Sequence, residues 1–351
     1  GGLLEVSAKQ RLKFRGHGDA SSNAGMGGTL TLDPDDLTIT ADDSGLGNTI
    51  QASSISAMLS EGTNLSLDAD GSIAVLAPIE DQFVLGALPS GQLTLTAGGS
   101  ITVDAPIYVG GLNMVAQTGG VWINASILSL DDIVVFGNNT QLLDLEGAPP
   151  ASHAGVSIRA SVESVDGRIQ VEGISEYSGR NDVGYGVLVG ADDPILMAAR
   201  GDIQISGTAY AWNGLHYDPA LNAVGIAASN VEIRSTDGKL IAYGDACYNI
   251  CGTFYTDLVY SPPLDSGSGR ANGVVIENVS ISAPSFDVWG RVDSGYRQTG
   301  LEILDSQLLA SGGDLSEITG FSLLQGGALS PFIPSESVGV KISGSSATIP
   351  S

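Results

Sequence analysis

The residues best suited to contact a ligand lie in one segment with an unusual density of aromatic side chains. These residues are Cys247, Tyr248, Cys251, Phe254, Tyr255 and Tyr260. Two cysteines separated by three residues predict a small disulfide loop if the chain works outside the cell. Tyrosine and phenylalanine rings on such a loop stack on the C–H faces of sugars or contact a protein partner. The alternative is that these rings only pack the loop onto the body of the protein.

A second candidate is a calcium site near the beginning of the chain. Asp33, Asp35 and Asp36 place three carboxylates close together, and Ca²⁺ prefers oxygen ligands of this kind. A second acidic segment, SLDADG at 66–71, does not continue as an EF-hand loop, and the glycine-rich calcium-binding repeat is absent from the sequence. The alternative is that these acids are solvated turn residues that keep the edges of a sheet soluble.

A third candidate is the tripeptide Arg200-Gly201-Asp202, which has the sequence of an integrin-binding motif. The same place in the neighbouring repeats is occupied by Gly167-Arg168 and Gly238-Lys239. The alternative interpretation is therefore that the tripeptide is a corner of a repeated structure.

Catalytic groups are poorly represented in the chain. No Lys or Arg occurs between Gly16 and Ile158, although acidic residues are frequent there. A polysaccharide lyase needs a basic residue beside calcium-bound carboxylates, and a glycoside hydrolase needs facing acids at a defined separation. No recognisable motif of either kind is present, so we expect a non-catalytic protein. A polysaccharide lyase or hydrolase is kept as an alternative.

The elements that must carry these residues are short strands. Apolar residues alternate with Thr, Ser, Asn or Asp in runs such as TLTLDPDDLTIT at 29–40 and QLTLTAGGSITV at 92–103. Alternation of this kind predicts strands with one buried face. Glycines interrupt the runs, and we expect them to form tight corners.

Helical spacing occurs at one place, residues 54–62. Ile55, Met58 and Leu59 share one face of a helix there. Ser53 or Ser54 is the expected N-cap and Gly62 the expected end. We predict one short helix on the outside of the structure.

The runs repeat against one another. Glycine followed by an apolar strand begins six units, at Gly155, Gly186, Gly225, Gly273, Gly300 and Gly339. Short strands with phased glycines predict an all-β fold, a right-handed parallel β-helix with loop insertions. About 20 residues per coil and about 4.8 Å between coils give roughly 17 coils and a rod of roughly 80 Å. Each of the six units is expected to make two turns of the coil.

The repeats divide the expected solenoid into two parts. Residues 1–150 have short regular repeats, and residues 151–351 have longer glycine–apolar repeats with inserted loops. We expect one continuous solenoid that is a fragment of a larger protein, because residue 1 falls within a repeat.

The charge balance limits the classes of partner. Lys and Arg number 14 against 39 Asp and Glu, which gives a formal net charge of −25. Binding to nucleic acid or to an anionic membrane needs a basic surface, so neither is expected. No segment has the roughly 20 apolar residues of a membrane span, so membrane insertion is not expected either.

The opening of the chain resembles the filamentous-haemagglutinin-like adhesins of two-partner secretion systems. The matching motifs are Leu4-Glu5-Val6-Ser7, Gly28-Thr29-Leu30 and Leu32-Asp33-Pro34, followed by the helix-then-strand unit. The similarity covers residues 3–130, and the later glycine units resemble looser repeats of the same large proteins. The Asn-Pro motifs of the family's secretion module do not occur in this sequence.

The resemblance implies an extracellular β-helical rod on the surface, or in the biofilm matrix, of a Gram-negative bacterium. It implies attachment or aggregation through an exopolysaccharide or a host or bacterial surface glycan, and an outer-membrane transporter as partner of the full-length protein. The alternative is a pure structural spacer that carries a distant tip or toxin.

Overall fold

A computed structural model describes most of the chain. The described residues are 2–8, 12, 14, 17–21, 27–42, 47–80, 91–140, 153–177, 183–190, 195–211, 222–248, 270–292, 297–312, 316–322 and 336–348. These residues form 29 strands and one helix.

The elements follow one another along the chain from β1 to β29. The first part contains β1 (Leu3–Ser7), β2 (Thr29–Asp33), β3 (Leu37–Thr40), β4 (Thr49–Gln51), α1 (Ala52–Ser60), β5 (Asn64–Ala69), β6 (Ile73–Val75), β7 (Ile79–Glu80), β8 (Gln92–Ala97), β9 (Ile101–Val103), β10 (Ile107–Val109), β11 (Gly111–Ala116), β12 (Val121–Ile123), β13 (Ile127–Ser129) and β14 (Ile133–Asn139). The second part contains β15 (Ala154–Ile158), β16 (Val162–Ser164), β17 (Ile169–Tyr177), β18 (Val183–Val189), β19 (Ile195–Ala199), β20 (Ile203–Ala211), β21 (Asn222–Ser235), β22 (Lys239–Tyr248), β23 (Arg270–Ala283), β24 (Ser285–Val292), β25 (Arg297–Leu304), β26 (Gln307–Ala310), β27 (Glu317–Ser322), β28 (Glu336–Ser343) and β29 (Ser346–Thr348).

The strands belong to two long sheets in which the strands pair in parallel. Sheet A has 11 strands, from β1 to β27, and sheet B has 18. The chain passes from one sheet to the other and back, so equivalent strands stack in register. Leu65 pairs with Leu93, Leu93 with Leu112, and Leu112 with Ile133. The predicted all-β parallel β-helix is confirmed.

The core lies between the sheets and is produced by the alternation of residues. In β2, Leu30 and Leu32 are fully buried, whereas Thr29 and Thr31 lie on the outer side. One apolar core continues from Leu12 to Ala310. Full burial of each such side chain contributes about 1.5–3 kcal/mol relative to exposure.

The coils are longer and fewer than the sequence predicted. Asn124 donates a hydrogen bond to Asp104 on the neighbouring coil, and the two residues are 20 positions apart in the sequence, as expected. In the later part, however, each glycine–apolar unit makes one turn rather than two, because Val156 pairs directly with Val187. The 11 strands of sheet A stack over roughly 50 Å at about 4.8 Å per strand, instead of the predicted 80 Å.

The phased glycines have a different role from the predicted corners. They lie inside strands and form two columns. The column in sheet A is Gly137, Gly173, Gly207, Gly244, Gly290 and Gly320, and the column in sheet B is Gly155, Gly186, Gly225, Gly273, Gly300 and Gly339. A Cβ atom on Gly207 would overlap the carbonyl oxygen of Gly225. The two sheets therefore cross with their backbones in contact, where only glycine fits.

A second, smaller core lies beyond this crossing. It consists of the buried side chains Ala209, Ala223, Ala246, Ala271 and Val292. The gap between the two sheets is narrow there, because the sheets have just diverged from backbone contact, and a small side chain such as alanine fills it. Strands as long as the 14-residue β21 and β23 span both cores.

The helix α1 begins two residues earlier than predicted. Gln51 is its N-cap, without a side-chain hydrogen bond, so neither serine caps it. Gly62, with φ of 83°, follows the last turn as expected. Ile55, Met58 and Leu59 are buried against the core. Among the described residues, no helix is long and apolar enough to cross a membrane.

Candidate functional site

Most of the predicted aromatic loop lies outside the described residues. Cys247 and Tyr248 are the last two residues of β22. Cys251, Phe254, Tyr255 and Tyr260 fall within the undescribed residues 249–269. The disulfide and the binding loop therefore stay predictions. The predicted division at residue 150 also falls outside the described residues.

Of the three aspartates of the predicted calcium site, Asp33 is the last residue of β2, and Asp35 and Asp36 lie in the turn between β2 and β3. Asp36 accepts the backbone N–H of Ser72 through Oδ1 at 2.8 Å, and the carbonyl oxygen of Asp35 accepts the N–H of Gly71. Within the described ranges, no group of three or more His, Cys, Asp or Glu side chains is placed to hold a metal ion. Calcium binding stays a prediction that no assembled ligand set supports.

Acidic side chains crowd around Asp33. Its pKa is raised, first by burial and then by repulsion from Asp70, Asp68, Glu5 and Asp35. These residues belong to neighbouring strands of sheet A and to the adjoining turn. The proximity produces unfavourable repulsion on one side of the rod.

The Arg200-Gly201-Asp202 tripeptide lies at a repeated corner between the two sheets. The N–H of Gly201 donates to the carbonyl oxygen of Gly167 one coil away. The Arg200 guanidinium bonds to Asp237 at 2.9 Å and to Asp166 at 3.0 Å. These hydrogen bonds raise the pKa of Arg200.

The aspartate of the tripeptide also has a repeated contact. Oδ1 of Asp202 accepts the backbone N–H of Lys239 at 2.7 Å, as Oδ1 of Asp132 accepts that of Arg168 at 3.0 Å. The corner thus has one hydrogen-bonding pattern on several coils, and both charged groups of the tripeptide are used in it.

Three aromatic side chains form a row on the outer face of sheet A. They are Tyr243 on β22, Trp289 on β24 and Phe321 on β27. The rings of Tyr243 and Trp289 are stacked, with centroids 4.3 Å apart and an interplanar angle of 13°. The rings of Trp289 and Phe321 are 5.6 Å apart and tilted by 55°. Tyr243 is 36 % exposed and Phe321 48 %, so the row offers apolar surface to solvent.

The register of the strands explains this geometry. Tyr243 pairs directly with Trp289, which places their rings side by side. Phe321 pairs with Arg291 instead, so it reaches Trp289 diagonally and at an angle. Two of the rings directly precede a glycine of the sheet A column, where sheet B supports the backbone from behind. We refer to Tyr243, Trp289 and Phe321 as the aromatic row.

Acidic groups border the aromatic row on one side. Asp287 lies next to Glu317 across β24 and β27. The carboxylate of Asp287 pairs with Lys239 Nζ at 3.3 Å, and Glu317 Oε1 accepts the hydroxyl of Thr319 at 2.6 Å. This edge provides oxygen acceptors, and the cation beside it is already paired.

The opposite side of the aromatic row carries one acid and one base. Asp245 pairs in register with Arg291 on the next strand. Tyr210 lies one coil away, and its pKa is raised, first by burial and then by Asp245 and Glu176. Asp245 and Glu176 therefore disfavour a negative charge on the Tyr210 hydroxyl.

The sequence contained a signal for the aromatic row. Tyr243 and Trp289 directly precede the repeated glycine in the segments KLIAYG and SFDVWG. Alternation places that position on the outer face, so two consecutive repeats predict neighbouring exposed rings.

A groove of about 650 Å³ lies beside α1, with Ser56, Ser60, Glu61 and Glu80 among its lining residues. The Ser56 hydroxyl accepts the N–H of Glu80, and the Ser60 hydroxyl donates to the carbonyl oxygen of Ser56. Glu61 pairs with His17 Nε2 at 2.6 Å. The hydroxyls of Ser56 and Ser60 are thus both bonded to the backbone.

No protein-family model, no curated protein and no solved structure matches the chain.

Proposed function

We propose that the chain is a non-catalytic segment of an extracellular adhesin of the filamentous-haemagglutinin-like type, which binds carbohydrate on a cell surface or in a biofilm matrix. The observation that carries the proposal is the exposed aromatic row on a rigid parallel sheet. The motifs within residues 3–130 support the family part of the proposal. Its partners are an exopolysaccharide or a host or bacterial surface glycan, and an outer-membrane transporter for the full-length protein.

The aromatic row has the chemistry of a sugar-binding surface. Because Tyr243 and Trp289 stack on each other along the rod, the row offers mainly ring edges as apolar surface to the C–H groups of pyranoses, and the tyrosine hydroxyl and nearby carboxylates bond to sugar hydroxyls. Exposed apolar surface of this kind is characteristic of binding sites when it is continuous and has a polar border. The strands that carry the rings are held by neighbouring strands, so little ordering is needed on binding.

A purely structural spacer is the second candidate. The continuous core from Leu12 to Ala310 favours it, because a rod without interruption transmits position along its axis. A spacer does not need exposed rings on its outer face, so the aromatic row favours the adhesive function.

Co-sedimentation with insoluble exopolysaccharide and with whole bacterial or host cells tests the proposal. Trp289→Ala should reduce binding at least about tenfold, since it removes the central apolar contact of the row, and a loss of about 1.4 kcal/mol of contact energy is a tenfold loss of affinity. Leu309→Ala is the matched control, because Leu309 is 46 % exposed on sheet B, away from the row. Equal binding by Trp289→Ala and the unaltered chain would support the spacer.

Two further measurements complete the test. Tyr255→Ala examines the predicted loop, and a loss of binding there with no loss in Trp289→Ala would place the ligand on the loop. Release of new reducing ends from a bound polysaccharide would contradict the non-catalytic part of the proposal.

A further inference from the structure

The aromatic row runs along the axis of the rod. Its three rings lie on β22, β24 and β27, which are successive strands of sheet A. Strands in the sheet run around the rod and stack along it, so a line through the ring centroids follows the axis. A ligand that contacts all three rings must therefore cross the strands and lie parallel to the axis.

The charges beside the aromatic row argue against an anionic ligand. Asp245, Asp287 and Glu317 lie on the same outer face as the rings, at neighbouring positions of the same three strands. Lys239 is paired with Asp287, and Arg291 is also engaged within the protein. Three acids and two bases therefore lie beside the rings, so a sugar carboxylate placed on the rings would meet a net negative charge.

The charge of the whole chain acts in the same direction. A formal net charge of −25 repels polyanions at long range. Neutral sugars feel none of this repulsion, and their hydroxyls donate hydrogen bonds to the carboxylates.

We infer that the aromatic row takes an uncharged glycan chain that lies parallel to the rod axis across three coils, and that it discriminates against uronic acid polymers. This inference rests on the proposed carbohydrate-binding function and adds to it a ligand charge and a ligand direction.

Two matched pairs of soluble hexasaccharides test the ligand charge. Cellohexaose is compared with a β-1,4-linked glucuronate hexamer, and β-1,4-mannohexaose with a mannuronate hexamer. Members of a pair share their backbone and differ in the carboxylates. Calorimetric titration at low salt should give at least about tenfold tighter binding of the neutral member in each pair that binds, since the carboxylates of the uronate are repelled by the acids at the surface.

Charge variants link the discrimination to named residues. The double variant Asp287→Asn with Glu317→Gln removes two acids and frees Lys239, so it should reduce the preference for the neutral member several-fold. Glu232→Gln on sheet B, an exposed outward residue far from the row in the fold, is the matched control and should leave the preference unchanged.

The ligand direction is tested with Tyr243→Ala and Phe321→Ala at the two ends of the aromatic row. Both should weaken binding of the neutral hexasaccharide several-fold, with the melting temperature recorded for each variant. If only Trp289→Ala weakens binding, the ligand crosses the row instead of following it, and the axial direction is wrong.

The remaining outcomes separate this inference from the proposed function. Tighter or equal binding of the uronate members, lost in Trp289→Ala, would overturn the inferred charge and leave carbohydrate binding intact. Failure of all four hexasaccharides to bind, together with failure of the cell and polysaccharide tests, would overturn both.

Discussion

Residues 29–140 and residues 153–322 form coils of the same core in different ways. In the first region, Thr and Ser side chains occupy many outward positions, as in β2 and β8, and uncharged contacts such as Ser72 with Ser100 join the coils. In the second region, two glycine columns bring the sheets into backbone contact, and ion pairs and rings occupy the outer face. The inward residues build the fold in both regions, so the outer face is free to differ.

The glycine crossing also changes what the second region can display. Because the sheets diverge again beyond the crossing, strands extend to 14 residues and gain outward positions that the short strands of the first region lack. The aromatic row lies next to this crossing, where the backbone behind it cannot move inward. The second region is therefore the better support for a binding surface.

The largest expected effect is loss of stability when a methyl group enters the crossing. Gly207→Ala should lower the free energy of unfolding by about 3 kcal/mol or more, because the new Cβ overlaps the Gly225 backbone and neither strand can yield without breaking its pairing. Gly111→Ala in the first region is the control. Its Cβ would lie 3.3 Å from the Gln92 side chain, which can move, so we expect a change within about 1 kcal/mol.

Urea unfolding followed by circular dichroism measures both variants. A similar small effect at Gly207 and Gly111 would mean that the sheets are not in contact at the glycine columns.

A smaller loss of stability is expected at asparagines that join neighbouring coils of sheet B, because their backbone conformation differs between the two regions. Asn278 has φ of 52° and donates to Asn230 Oδ1 at 2.6 Å. Asn278→Ala should cost about 1–2 kcal/mol, because an alanine is strained in the left-handed region, and Asn278→Gly should cost less. Asn124 in the first region donates to Asp104, but its backbone is not in the left-handed region. Asn124→Ala should therefore lower the free energy of unfolding less than Asn278→Ala. The reverse order in thermal melts would contradict this account.

The acids near Asp33 make the stability of the first region depend on pH. Because the pKa of Asp33 is raised in the folded protein, its ionisation favours unfolding, and stability falls as pH rises from about 3.8 through the folded pKa. Asp33→Asn should therefore raise the melting temperature at pH 7 and have no effect well below pH 3.8.

Asp19 is the opposite case, because hydrogen bonds from Ser21 lower its pKa. Asp19→Asn should therefore lower the melting temperature at pH 7.

Melting curves in millimolar calcium complete the test of the Asp33 region. An increase in melting temperature that Asp33→Asn abolishes would establish the predicted calcium site, and an unchanged curve would identify these acids as turn residues.

The smallest expected effect is at the ion pairs of the second region. Arg200→Gln should lower the melting temperature slightly at low salt, since exposed ion pairs contribute little. The difference should disappear near 1 M salt, where screening is strong. The first region has no Lys or Arg between Gly16 and Ile158, so such ion pairs do not form within it. A loss at Arg200 that persists at high salt would contradict an electrostatic role.

The sequence allowed prediction of the fold but not of the stacking. Alternating residues and phased glycines before Val156 and its equivalents identify parallel strands, because inward positions must repeat from coil to coil. They do not reveal which strand a glycine faces, since Gly207 and Gly225 meet across two different sheets. The interpretation of these glycines as corners, and of each unit as two turns, was wrong for that reason.

The candidate site was harder to predict than the fold. Tyr243, Trp289 and Phe321 are far apart in the sequence and become neighbours only through the strand register. The register depends on loop lengths that vary from coil to coil, and no local pattern determines it. The position before the repeated glycine was visible in the sequence, but not the stacking of its rings.

A crystal structure of the chain with cellohexaose, or with whichever neutral hexasaccharide binds more tightly, tests the central claim most directly. We predict sugar rings in contact with Tyr243, Trp289 and Phe321, with the chain of sugars parallel to the rod axis. Density for the ligand on another surface, with the aromatic row unoccupied at saturating ligand, would contradict the account.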